Sequence, residues 1–177
     1  MGTYFQGRKT GFTRVQTRWT PKSIEVDSTV FFQIRSKSID QSTTINQKTR
    51  LGPDFKLRGF SLLQEITGHR QQVEGRVEGN RLIYRIKSRG FDKAKSIEFS
   101  PGTLSSSTFL LNLLEDGLKV GQKGTLSLFL EPFQMLVDLE YEVLRKENLE
   151  YEGKPVETFA IKQKFSGIET TLWIAGD

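Results

Sequence analysis

The feature that most limits what this chain can become is a period of two that runs through nearly all of it. Val30, Phe32 and Ile34 alternate with Phe31, Gln33 and Arg35; Leu82, Tyr84 and Ile86 alternate with Ile83, Arg85 and Lys87; Leu126, Leu128 and Leu130 alternate with Ser127 and Phe129. Successive side chains of a strand point to opposite faces, so each stretch reads as a strand with one buried side. Residues 11–19, 43–51, 55–66, 71–78, 95–100 and 170–174 read the same way, divided by Gly, Pro, Asn and Asp. Residues 3–6 and 11–19 are expected to form a hairpin turned at Gly7 and Arg8. The apolar phase shifts from Phe55 and Leu57 to Phe60 and Leu62, which predicts a bulge near Gly59. Many strands on short links predict a mainly β fold, a curved antiparallel sheet forming a half-barrel or barrel-like roll, as a single domain over residues 1–177.

One segment breaks the period. In TLSSSTFLLNLLEDGLKVGQK, Ser106 or Ser107 can cap a helix with Phe109, Leu110, Leu113 and Leu114 on one side, and Gly117 stands where a left-handed C-terminal cap belongs. This predicts one helix over 107–116, packed on the concave side of the sheet. Phe109, Leu110, Leu113 and Leu114 read first as core; the second reading makes them the lining of an apolar ligand cavity under a mobile helix.

Residues capable of chemistry are few. The 177 residues include no cysteine and one histidine, His69, in the turn TGHRQQ. Thiolate nucleophiles, disulfides and Cys-ligated zinc are therefore excluded, and His69 has no second histidine to work with. Ser105, Ser106 and Ser107 are explained by their place at a helix start. No phosphate-cradling glycine motif occurs. The chain is expected to be no enzyme, with no catalytic residue, no cofactor and no metal. Its net charge of +5 is spread among nearly as many carboxylates, so nucleic acid is not an expected partner. No apolar run is long enough to span a bilayer, and the first residues lack the apolar stretch of a signal peptide.

The one acidic cluster is LVDLEYEVL, which sets Asp138, Glu140 and Glu142 on one strand face. Such a row can hold calcium or serve acid–base chemistry. The next strand offers a plainer account. A three-residue loop with Gly153 left-handed pairs Glu150 with Lys154, and that register sets Glu142 opposite Lys162, Glu140 opposite Lys164, Val143 opposite Ile161 and Leu139 opposite Phe165. Acid then faces base on one side, and apolar faces apolar on the other.

Four stretches together carry a resemblance: GTYFQGRKTGFT at 2–13, LLEDGLKVGQK at 113–123 followed by Glu131 and Pro132, YEGKPVETFAI at 151–161 and TTLWIAGD at 170–177. In this order they resemble the non-catalytic region that precedes the catalytic module of bacterial transglutaminase-like proteins. In that family the Trp strand is followed by a turn, a further strand and a Cys-His-Asp domain. The resemblance thus implies that this chain is a piece of a longer protein, ending just before the enzyme. None of the family's catalytic residues is carried over, since none has a counterpart here. The implied role is an accessory or interaction domain beside a catalytic module, with a protein or cell-envelope substrate and an exported location. The layout also resembles periplasmic lipoprotein-carrier half-barrels, and so the alternative is a carrier or sensor holding an apolar ligand between sheet and helix.

Overall fold

The structure is a computed structural model that describes residues 2–5, 8–35, 40–115, 117–151 and 153–175. These form two compact units, residues 1–102 with 131–133 and residues 103–130 with 134–177. The fold is mainly β with one short helix.

The first unit is an eight-stranded antiparallel meander of β1 (Gly2–Phe5), β2 (Arg8–Trp19), β3 (Ile24–Arg35), β4 (Asp40–Leu51), β5 (Leu57–Ile66), β6 (His69–Glu78), β7 (Arg81–Ser88) and β8 (Phe91–Glu98). Each strand pairs with its neighbours in sequence. Thr3 lies opposite Gly11 and Phe5 opposite Arg8, so β1 and β2 pair as the expected hairpin with Arg8 already in β2, while Gly7 of the expected turn lies outside the described residues. Two-residue links close β5–β6, β6–β7 and β7–β8, where Ile66 faces His69, Glu78 faces Arg81 and Ser88 faces Phe91. One face of the sheet buries Ile24, Val26, Leu51, Phe60, Leu62, Val73, Leu82, Tyr84 and Ile86. Burial pushes the Tyr84 hydroxyl above its ordinary pKa.

The bulge stands where the phase shift predicts it. Arg50 faces Gly59 while Leu51 faces Leu57, which leaves Arg58 as the extra residue. Its Nη2 donates to Asp54 Oδ1 at 3.1 Å. Because of the bulge, both Leu57 and Phe60 reach the buried face. Gly75 lies opposite Phe60, and the space a Cβ would need there is filled by the Phe60 ring.

The second unit holds β9 (Leu104–Ser105), α1 (Phe109–Glu115), β10 (Lys123–Leu130), β11 (Met135–Tyr151), β12 (Lys154–Phe165) and β13 (Ile168–Ala175). Its strand order is β13-β12-β11-β10-β9, antiparallel except for the short parallel pair β9–β10. The expected single curved sheet is therefore two sheets, since the alternation has the same period in both and does not mark where one ends. Val143, Phe159 and Ile161 form a buried cluster, with Leu118, Tyr141, Leu172 and Ile174 packed against it.

The helix is shorter than the expected 107–116, and Asp116 lies outside the described residues. Thr108, not Ser106 or Ser107, stands before the first helical residue, and its carbonyl accepts from Leu111 N–H at 3.0 Å. The serines make a local turn instead, in which Ser107 N–H donates to Ser105 Oγ at 3.3 Å. Gly117 has the left-handed φ of 72° expected of the C-terminal cap and donates to the Leu114 carbonyl. No helix among the described residues is long and apolar enough to cross a membrane.

Candidate functional site

The acidic row on β11 lies on the solvent face of the second sheet, and the register decides what each acid meets. Next to the turn, Tyr151 faces Lys154 and Glu150 faces Pro155, so the loop holds two residues and not the expected three, with Gly153 at φ 74°. Farther from the turn, the ladder shifts between Val143 and Arg145. Leu144 is the extra residue of this bulge, and beyond it Val143 faces Ile161, Glu142 faces Lys162 and Glu140 faces Lys164, as expected. The β11–β12 ladder ends at that last pair, and Leu139 instead faces Leu126 of β10.

Each acid then sits among different partners. Glu142 lies between Lys123 and Lys162, and its Oε1 is 2.9 Å from Lys123 Nζ. Lys162 turns the other way, to Glu169 Oε2 at 2.8 Å. The hydrogen bond that Lys162 donates to Glu169 holds its ammonium above its ordinary pKa, helped by the charges of Glu169 and Glu142. Glu140 lies between Thr125 and Lys164, and Asp138 faces Ser127. Among the described residues, no group of three or more His, Asp or Glu side chains is placed to hold a metal ion.

The result is a groove of about 520 Å³ lined by Lys123, Thr125, Glu140, Tyr141, Glu142, Lys162, Lys164 and Glu169. Gly124 lets the Tyr141 ring lie close over β10. Farther along the same face, Arg145, Ala160 and Trp173 form one cross-strand row. Arg145 Nη2 is 3.1 Å from Glu147 Oε1, and Trp173, 41% exposed, donates to the same carboxylate. Chemically, the face offers alternating charges, hydroxyls and one aromatic edge, a surface suited to polar contacts over several strands.

The helix residues go elsewhere. Leu113 is buried at 4% exposure, and Phe109, Leu110 and Leu114 are half-buried. None of the four lines this groove or any of three further grooves on the first sheet. His69 is exposed, as its turn position implies, but begins β6 rather than lying in a loop. Trp19 and Phe91 are exposed on β2 and β8, with five strands between them, and do not form one aromatic patch within the sheet. Trp19 instead meets Phe55 edge-on, with ring centroids 5.6 Å apart.

No protein-family profile and no curated sequence matches this chain. Among solved structures it is similar to a β-barrel-like protein from Brucella abortus, of the domain of unknown function DUF1849, with 11% identity and a TM-score of 0.66 over 94% of this chain and 77% of that one. It is also similar to a DUF1089 family protein from Pseudomonas aeruginosa, with 10% identity and a TM-score of 0.52 over 99% of this chain and 90% of that one. At such identities the likeness concerns the fold: this chain shares its mainly antiparallel β architecture with a bacterial protein described as β-barrel-like.

Proposed function

We propose that this chain is a non-catalytic accessory domain that accompanies a transglutaminase-like catalytic module and meets a protein or cell-envelope partner through the solvent faces of its sheets. The observation that carries this reading is the pairing of Glu142 with Lys123 and of Lys162 with Glu169 across four strands. Charges compensated in this way form a recognition surface, whereas a general acid or base needs a carboxylate whose environment sets its pKa apart from its neighbours'. The motif resemblance supplies the catalytic neighbour.

Two measurements test the reading. The purified chain, given a glutamine peptide and a primary amine, is expected to show no turnover above buffer; turnover that survives repurification overturns the non-catalytic reading. The full reading frame is expected to encode a Cys-His-Asp module, and its absence would remove the association. The alternative carrier keeps one supporting observation, the half-buried Phe109, Leu110 and Leu114. A saturable response of a fluorescent fatty-acid probe, abolished by Leu110→Asp, would favour it.

A further inference from the structure

Where β5 turns into β6 and β7 turns into β8, the side chains of two hairpins converge on one basic groove. Its volume is about 510 Å³, and its lining is Thr67, Gly68, His69, Arg70, Gln72, Lys87, Ser88 and Arg89. Not one lining residue is acidic. The grouping follows from register: Lys87 faces Gln72, and the links 67–68 and 89–90 fall at the same end of adjacent strands. Thr67 and Gly68, at φ 45° and 81°, give the tight turn that starts β6 beside β7. Ser88 Oγ then donates to the Arg70 carbonyl at 3.2 Å, joining the two hairpins at the groove itself.

The nearby acids are held by other residues or stay apart. Asp92, across from Lys87, has both carboxylate oxygens on Arg85, at 2.6 and 2.8 Å. Glu74 accepts from Gln72 Nε2 at 2.8 Å. Glu65 faces Arg70 in register but does not line the groove, and no ion pair joins them. Arg70, Lys87 and Arg89 therefore make no ion pair among the described residues, although, behind the hydrogen bond from Arg85, the charge of Lys87 helps to lower the Asp92 carboxyl pKa, and the three cations line one groove.

We propose that this groove binds a phosphate or phosphate-monoester group. Three cations at one end of the sheet outnumber the acids across from them, Glu65 and Asp92, of which Asp92 is already bound to Arg85, and a doubly charged oxyanion removes the repulsion that remains. Two guanidiniums offer planar forks that match phosphate oxygens in pairs, and Lys87 adds a point charge. The volume admits the phosphate together with a small group attached to it. The site is built from residues of the first sheet alone and does not depend on the accessory-domain reading.

The test is a titration of the ¹⁵N-labelled chain with inorganic phosphate at constant ionic strength, with chloride as the control. Saturable amide shifts confined to residues 67–72 and 87–89 are expected with phosphate and not with chloride. The double variant Arg70→Gln with Arg89→Gln should bind at least about tenfold more weakly, from the loss of charge-assisted hydrogen bonds. Lys87→Glu should abolish binding, with unchanged Val73 and Val77 amides reporting an intact sheet. Vesicles of phosphatidylcholine with and without phosphatidic acid separate the sources. Co-sedimentation with the acidic vesicles that phosphate competes away assigns a lipid headgroup; saturation by phosphate with no vesicle binding assigns a soluble ligand. Shifts that do not saturate, that centre on the lysines of the second sheet, or that persist in both variants overturn the proposal. So does binding that appears only with a long polyanion such as heparin.

Discussion

Trp173 Nε1 donates a 2.6 Å hydrogen bond to Glu147 Oε1, joining the edge strand β13 to β11 across the width of β12. With the Trp173 and Arg145 hydrogen bonds, the Glu147 carboxyl lies below its ordinary pKa. A depressed carboxylate contributes stability above its unfolded-state pKa and loses it as pH falls through the folded value. Trp173→Phe removes the largest cause, so the Glu147 midpoint, followed by carboxyl ¹³C NMR, should rise. The difference in unfolding free energy between the two proteins should narrow as the pH falls below the ordinary carboxylate range. An unchanged midpoint would show that the indole contributes nothing to holding the charge.

Ile161 is fully buried and faces Val143 across the β11–β12 ladder. Ile161→Ala is expected to cost about 2–5 kcal/mol in urea unfolding, from lost burial and the cavity left behind. Thr171→Ala, an exposed change on the neighbouring strand, should stay within about 0.5 kcal/mol.

Gly75 and Phe60 are coupled through the space that the ring occupies. Gly75→Ala should destabilise the first sheet by about 1–3 kcal/mol through overpacking. Phe60→Leu in the same chain should recover part of that loss, giving a non-additive double-mutant cycle. Additive values would mean that the ring moves aside at no cost.

Deleting Leu144 removes the extra residue of the β11 bulge and leaves Val143 directly before Arg145, opposite Ile161 and Ala160. The cross-strand pairs Glu142–Lys162 and Glu140–Lys164 should therefore survive, read by inter-strand amide and Hα contacts in NMR. The cost should stay below that of Ile161→Ala. A slipped register in the deletion variant would show that the bulge itself, and not the apolar face, holds the pairing in place.

That hairpin shows what the sequence can and cannot reveal. The pairs beyond the bulge were legible because Val143 and Ile161 must both be buried, and a one-residue slip would turn Glu140 and Glu142 inward. The turn was not: a two-residue loop plus a bulge and a three-residue loop without one give the same distal register. The bulge at Arg58 was legible because it moves the apolar phase from Leu57 to Phe60. The helix cap falls on Thr108 instead of Ser106 or Ser107 because three serines and a threonine are chemically near-equivalent candidates. The basic groove was invisible for a different reason. Arg70 and Arg89 lie nineteen positions apart in the chain, among carboxylates, and only the pairing of β6 with β7 brings them to one end of a sheet.

In the first sheet, every strand pairs only with the strands before and after it in sequence. Each closure therefore spans a short loop, and the entropy lost in closing a loop grows with its length. A meander of this kind can grow hairpin by hairpin, each new strand finding its template already formed. Its refolding should outpace that of a Greek-key sandwich of equal size, whose first and last strands must meet before either gains a partner.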